Sequence, residues 1–129
     1  PALWGGVLHE AMVARPTTES VWASLQHSLE AVLELFDLRD EKHKRGIRVL
    51  ADTPSLRARN LEKHLTWAED LTPIIAGRLS GADIDLRAHT LALAAIACFE
   101  NALTLWAVSG ERRTPSDLLT RSFAALEDV

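Results

Sequence analysis

Apolar side chains recur at helical spacing along the whole chain and predict six helices and no strands. The second predicted helix shows the pattern most clearly, since one face carries Val21, Trp22, Leu25, Leu29, Val32, Leu33 and Phe36. The other helices are expected near residues 2–13, 39–51, 54–79, 84–108 and 114–127. The connections are short, so neighbouring helices should pack roughly antiparallel. The predicted fold is therefore an all-α antiparallel bundle of about six helices.

Prolines, glycines and capping side chains mark the predicted helix boundaries. The expected start signals are Thr17 or Thr18 for the second helix, Thr53 with Pro54 for the fourth, Asp83 or Asp85 for the fifth and Thr114 with Pro115 for the last. The expected stop signals are Pro16, Ser80 with Gly81, and Gly110. A charged junction at 37–41 precedes the third helix, which is short and is weakened near Gly46. Its apolar side is thin, with Ile47, Val49 and Leu50.

The helix predicted at 84–108 is apolar around most of its circumference. A helix of this kind must be covered on most sides. Because a small domain cannot easily surround such a long helix, a second copy of the chain is expected to cover part of it. Paired with the apolar edge of 115–127, it would form a four-helix bundle between two protomers. The predicted homodimer interface comprises Leu93, Ala97, Glu100, Thr104, Leu119, Ser122 and Phe123.

Length and composition are typical of one globular domain, with 129 residues, 47% hydrophobic and 25% charged. The single cysteine, Cys98, lies within an apolar helix pattern and is read as a small buried side chain. The absence of a disulfide framework and of a signal peptide favours a cytoplasmic protein. No apolar run of the required length is free of polar residues, so no membrane span is expected.

Residue patterns for catalysis are missing. The five histidines form no H-x-x-x-H or Glu-x-x-His pair, so no metal site is predicted. The chain has neither a nucleophile elbow nor a glycine-rich phosphate loop. We therefore expect no cofactor and no enzyme activity.

Large apolar side chains are numerous for a small bundle and suggest a cavity for a lipophilic ligand. The residues assigned to its wall are Trp22, Leu25, Leu29, Trp67, Leu71, Ile74, Ile96 and Phe99. The alternative is that these side chains interlock as a solid core. The polar end of a ligand would be oriented by His64, Glu100, Asn101 and Thr104.

Charge is uneven, because residues 38–64 carry eight bases and four acids in a chain of net charge −4. Such a segment is usually a solvated, ion-paired helix face. It could instead be a surface that faces phosphate, on DNA or on a nucleotide-bearing ligand. With an acyl ligand, the residues that would meet a phosphate-bearing head group are Lys42, Lys44, Arg45 and Arg48. The overall negative charge disfavours specific DNA binding by these residues themselves.

The C-terminal part of the chain combines an alanine- and leucine-rich helix at 91–106, a Gly-Glu-Arg-Arg linker at 110–113 and a short helix at 117–127. This arrangement resembles the C-terminal half of TetR-type transcriptional regulators. Upstream, Val-Leu-Ala-Asp-Thr-Pro-Ser-Leu-Arg-Ala-Arg at 49–59 and Trp-Ala-Glu-Asp-Leu at 67–71 look like a branch with acyl-CoA-like or mycofactocin-regulator-like ligand domains.

This resemblance implies that residues 1–129 form a ligand-binding and dimerisation domain. It also implies an N-terminal helix-turn-helix domain, which is not in this sequence and would be the only part to contact DNA. A lipophilic effector would shift the linking helix 1–13 and the spacing of two DNA-reading helices. The alternatives are a stand-alone helical dimer that binds a lipophilic molecule or a partner helix without DNA, and, more distantly, a helical enzyme.

Overall fold

Six helices account for nearly all of the described residues in the computed structural model. The structure describes residues 2–36, 41–108, 112–127 and 129, with side chains from residue 4 onward and without that of Phe36. The helices are α1 (Ala2–Ala14), α2 (Val21–Phe36), α3 (Glu41–Asp52), α4 (Pro54–Ala76), α5 (Ile84–Val108) and α6 (Pro115–Glu127). No strand occurs in the described ranges, so the predicted all-α class and the number of helices are confirmed. The predicted junction at 37–40 and the stop at Gly110 lie outside the described residues.

The cap of α2 differs from the prediction. Ser20, rather than Thr17 or Thr18, precedes the helix, and its Oγ accepts a hydrogen bond from the Ala23 N–H at 3.2 Å. A serine at this position satisfies one of the amide groups that a helix start leaves unpaired. At α6 the expected cap is confirmed, because the Asp117 N–H donates to Thr114 Oγ1 at 3.1 Å.

The end of α4 also differs from the prediction. The helix passes through Pro73 and ends at Ala76, three residues before the expected end at 79. Its final turn tightens, since the N–H groups of Arg78 and Leu79 each donate to the carbonyl three residues earlier. Gly77, a weak helix former, begins this turn. Gly81, where the helix was expected to end, lies in the following loop with φ +96°.

Glu19 fastens the turn between α1 and α2. Its carboxylate accepts two hydrogen bonds from the Arg15 guanidinium, at 2.8 and 2.6 Å, and one from Ser24 Oγ at 2.7 Å. Foremost the Arg15 hydrogen bond, and then that of Ser24, lower the pKa of Glu19 from 4.5 to about 2. Arg78 joins α4 to the same turn, because Nη2 donates to the carbonyls of Met12 and Arg15 at 2.9 Å each.

The core lies around α5, which contacts α2, α3, α4 and α6. Its buried side chains share one arc of the helix, where the small residues Ala88, Ala92, Ala95 and Ala102 are interspersed with the large residues Ile96, Phe99 and Trp106. The small residues let neighbouring helices approach closely, while the large ones fill the wider spaces. The predicted burial of Cys98 is confirmed, at 6% exposure.

By length and apolar composition alone, α5 could cross a membrane, although the polar residues in its sequence predict no membrane span. Four other helices cover it in this fold, as they would the central helix of a water-soluble domain. The same packing leaves Leu86 and Leu93 exposed at 68% and 38%. Intrachain packing therefore covers α5 only in part.

Helix α3 is the least embedded of the six, with no buried residue. It packs against α4 and α5. Arg48, in the middle of α3, makes two polar contacts. Its Nη1 donates to the Ala107 carbonyl at 2.7 Å, and its Nη2 pairs with Glu41. Lys44 places its ammonium 5.2 Å from the ring centre of Trp106. These contacts secure α3 through its polar side chains, so its apolar side chains are available to line a cavity.

Candidate functional site

A cavity of about 880 Å³ lies between α3, α4 and α5, with contributions from Trp4 of α1 and Leu35 of α2. Its size falls within the range of small-molecule sites in proteins, roughly 300–1,000 Å³. The apolar part of its wall comprises Trp4, Leu35, Ile47, Leu50, Ala51, Leu61, Phe99 and Leu103. The polar part comprises Lys42, His43, Arg57, Asn60, Lys63, His64, Glu100 and Thr104.

Exposed leucines surround the cavity. Leu35 and Leu61 are each 45% exposed and Leu50 is 38% exposed. These three side chains come from three different helices, α2, α4 and α3. Exposed apolar surface that is grouped around a concavity, and not scattered, marks a place where another apolar group binds.

His64 and Glu100 form a hydrogen-bonded pair between α4 and α5 at the cavity wall. His64 Nδ1 meets Glu100 Oε1, and the imidazole is only 6% exposed. The ring of His64 also lies 4.8 Å from that of Trp67 and 6.0 Å from that of Phe99. A buried polar side chain needs a partner of this kind, and the pair fixes the relative position of the two helices.

Lys63 lies between two indole rings. Its Nζ is 5.4 Å from the ring centre of Trp4 and 5.5 Å from that of Trp67. Ammonium groups are attracted to the faces of aromatic rings at such distances. Burial lowers the pKa of Lys63, and the negative charge of Glu100 opposes this effect.

The junction of α1 and α4 is tight at the same place. A Cβ atom added at Gly5 would lie 3.0 Å from Trp67 Nε1 and 3.3 Å from Trp67 Cδ1. Glycine therefore permits the backbone of α1 to lie directly against the indole. Because Trp4 also lines the cavity, the start of α1 is part of the cavity wall.

The lining contains more basic than acidic groups. Among the described residues, Lys42, Arg57 and Lys63 contribute cationic side chains, and Glu100 contributes the one carboxylate. Since Glu100 is already paired with His64, the cavity favours a ligand that carries negative charge beside its apolar part. Of the four basic residues predicted to meet a head group, only Lys42 lines the cavity. The others lie elsewhere, with Lys44 and Arg48 directed to the end of α5 and Arg45 exposed.

Most of the predicted wall residues lie in the solid interior. Leu25, Leu29 and Leu71 are at most 1% exposed, Trp67 is 4% and Ile96 is 5% exposed, and none of them lines the cavity. Ile74 is half-buried against the same core. Trp22 packs on α6, where its Nε1–H donates to the Phe123 carbonyl at 3.1 Å. Phe99 alone of the eight lines the cavity. Helical periodicity identified the buried faces, but periodicity does not distinguish a face that meets side chains from one that meets a void.

Of the four polar residues expected to orient a ligand's polar end, three line the cavity. His64, Glu100 and Thr104 line the cavity, whereas Asn101 is exposed and does not. The residues that sequence reasoning missed are mainly those of α3 and the start of α4, such as Ile47, Leu50, Arg57 and Lys63. The thin apolar side of α3 was the available signal, since a helix with few apolar residues still needs something to cover them.

The predicted interface residues fall into three groups. Leu93 is 38% exposed, Ala97 is exposed and Ser122 is half-buried, so a partner could still cover them. Glu100 and Thr104 line the cavity. Leu119 and Phe123 are fully buried within one chain, so a partner cannot cover them further.

Comparison with known proteins identifies the class of this domain. Residues 19–129 match the family described as the MftR C-terminal domain. Over 109 residues the chain is 28% identical to a protein of Mycobacterium tuberculosis (strain ATCC 25618 / H37Rv) described as the mycofactocin biosynthesis transcriptional regulator MftR, covering 81% of this chain. The chain spans 52% of the length of that relative. The family match includes α2 to α6, and thus four of the five helices that line the cavity. The chain therefore belongs to the MftR C-terminal domain family, the C-terminal domains of a group of TetR-type regulators.

Proposed function

We propose that this domain is the effector-binding and dimerising part of a TetR-type transcriptional regulator that acts in the cytoplasm. The effector is a lipophilic small molecule with an anionic group, of which a fatty acyl compound is the preferred class. DNA binding belongs to a helix-turn-helix domain outside residues 1–129. The domain binds its ligand without transforming it.

The observation that carries this proposal is the combination of apolar and basic side chains around one half-open cavity. Apolar side chains of five helices provide space for an aliphatic chain, and burial of about 200–300 Å² of such a chain would contribute several kcal/mol at ~25 cal/mol/Å² before entropy losses. The basic groups Lys42, Arg57 and Lys63 provide an environment for the negative charge. A pocket with this division of surface suits an amphiphile.

The cavity wall also supports a route from ligand to regulation. Trp4 lines the cavity and belongs to α1, the first helix of the chain. A ligand that displaces Trp4 would move the start of α1. In a TetR-type regulator, such a movement would change the spacing of two DNA-reading helices and shift the population away from the DNA-binding state.

Dimerisation is proposed on the exposed apolar face of α5. Leu86, Leu93 and Ala97 recur at spacings of seven and four residues, which places them on one side of the helix. All three are exposed in the single chain. Light scattering is expected to give twice the mass of one chain, and Leu93→Glu is expected to weaken the association. A monomer at tens of micromolar would contradict this part of the proposal.

The experiment on the cavity uses a space-filling substitution. Leu103, which lines the cavity on α5 and is half-buried, is replaced by tryptophan. Decanoic acid and its longer homologues are expected to raise the melting temperature of the unaltered protein in a concentration-dependent way, since a ligand that binds the folded state stabilises it. Leu103→Trp should abolish this rise because the added ring occupies the ligand's space.

The matched control is Leu65→Trp, on the neighbouring helix α4, where Leu65 is 52% exposed and lies outside both the cavity lining and the proposed dimer face. It should leave the ligand response unchanged. If acyl compounds raise the melting temperature of neither protein up to near-millimolar concentration, the acyl class is wrong. If they raise that of Leu103→Trp as much as that of Leu65→Trp, the ligand binds elsewhere.

A further inference from the structure

Lys63 is the most unusual reactive group in the molecule. It is one of only three lysines in the sequence, the others being Lys42 and Lys44. Its ammonium lies 5.4 Å from the ring centre of Trp4 and 5.5 Å from that of Trp67, and the residue lines the cavity. Lysine amines that are removed from water and enclosed by apolar groups are the ones that proteins use to form imines with carbonyl compounds.

We propose that Lys63 forms a reversible imine with an aliphatic aldehyde bound in the cavity. This inference rests on the proposed function, because it uses the same cavity for the aliphatic chain. It adds a covalent site and a second ligand class, the long-chain aldehydes. The apolar lining that would hold an acyl chain holds an alkyl chain equally well.

The surroundings of Lys63 favour both the starting amine and the product. Burial lowers the pKa of Lys63 and so raises the share of the nucleophilic free amine at a given pH. A protonated imine carries the same single positive charge as the ammonium that it replaces. The two indole rings, which attract a cation, therefore stabilise the product as they do the ammonium.

The reaction balances without any further reagent. The ammonium of Lys63 releases one proton to solvent water. The free nitrogen lone pair then attacks the aldehyde carbon, the carbonyl π bond opens, and one proton passes from the nitrogen to the oxygen to give a neutral carbinolamine. Solvent returns a proton to the hydroxyl group, the nitrogen lone pair forms the C=N bond as the C–O bond breaks, and water leaves. The product is a protonated imine and one molecule of water, with no change of charge or oxidation state.

Lys42 and Lys44 provide controls within the same protein. Lys42 lines the cavity but is exposed, and Lys44 lies over Trp106 outside the cavity lining. Neither combines enclosure between two aromatic rings with access to the cavity in the described structure. A reaction governed by mere exposure would therefore favour Lys42.

The test is reductive trapping with decanal. The protein is incubated with decanal and cyanoborohydride, which reduces a protonated imine in preference to the aldehyde, then digested and mapped by mass spectrometry for decyl groups on each lysine. We expect Lys63 to carry severalfold more decyl groups than Lys42 or Lys44, and decanol added in excess to suppress labelling at Lys63 alone. Lys63→Arg, which keeps a cation between the two rings, should lose the cavity-dependent adduct while retaining its melting temperature.

The outcomes separate this proposal from the function on which it rests. If decanol and decanoic acid raise the melting temperature but decanal labels the three lysines equally, the cavity binds ligand and the imine is wrong. If Lys63 is labelled preferentially but excess decanol does not suppress the labelling, the reaction does not take place in the cavity and the proposal is again wrong. If none of the three compounds acts on the protein, the proposed function fails together with it.

Discussion

The substitution Phe123→Ala tests whether the end of α6 lies in the core of one chain or in an interface between chains. The sequence predicted an interface, whereas the structure buries Phe123 completely within the chain. Its ring lies 4.3 Å from that of Trp22, whose indole N–H donates to the Phe123 carbonyl at 3.1 Å. The substitution Phe123→Ala removes the ring and leaves this backbone hydrogen bond possible.

The expected loss follows from the burial of the ring. Replacement of a fully buried phenylalanine by alanine costs about 3–5 kcal/mol, through lost burial and the cavity that remains. The contact with Trp22 contributes part of this, since aromatic pairs are worth about 0.5–1.5 kcal/mol beyond their buried area. For a domain of this size, the loss corresponds to a decrease of about 10–20 °C in melting temperature.

Urea unfolding at several protein concentrations is the assay. A side chain buried within one chain should cost the same free energy of unfolding at all of them, because the loss does not depend on association. The control Leu126→Ala, on the same helix and 48% exposed, should change stability by no more than about 0.5 kcal/mol. A loss from Phe123→Ala that disappears on dilution, or that matches the control, would refute the intrachain position.

Two further predictions concern α1 and the turn that follows it. Glu19→Gln should destabilise the protein near neutral pH. The pKa of Glu19 is lowered from 4.5 to about 2, chiefly by the hydrogen bond from Arg15. The loss in free energy of unfolding should therefore be complete above pH 4.5 and should vanish as the pH falls to about 2. An unchanged difference over that interval, measured by urea unfolding, would contradict it. Gly5→Ala should lower the melting temperature and shift the fluorescence of Trp67, because the added Cβ forces the indole to move. Gly6→Ala has no atom within 4 Å of the new Cβ and should stabilise α1 by up to about 1 kcal/mol. Equal effects of the two substitutions would show that the close contact is unimportant.

The fold could be predicted from the sequence because local patterns specify most of it. The apolar spacing of α2, α5 and α6 is regular, and Thr114 with Pro115 signals the last start unambiguously. The cap of α2 was misplaced because three hydroxyl residues within four positions, Thr17, Thr18 and Ser20, compete for it, and only the tertiary position of the turn selects Ser20. The early end of α4 depends on a tightened final turn, and Gly77 is the residue in the sequence that indicates this turn.

The candidate site was harder to predict because it depends on what the helices leave unfilled. A fully buried leucine such as Leu29 and a cavity-lining one such as Leu103 occupy equivalent positions in an apolar helix pattern. The difference lies in the facing helix. Opposite Leu103, α3 presents few large side chains and has Gly46 in its middle, so the space beside α5 stays open. The sequence identified α3 as weak but gave no measure of how far it would stand from α5.

The polarity of α3 links the stability of the domain to its proposed function. Its anchoring contacts are polar and come from its middle turns, through Arg48 to the Ala107 carbonyl and through Lys44 to the ring of Trp106. Large apolar residues filling its inner face would hold the helix more firmly, but they would also fill the cavity. A helix held by a few polar contacts can keep its place while the space beneath it remains open to an apolar chain. Gly46 and the small number of apolar side chains weaken α3, and the same two features therefore create the cavity beside it.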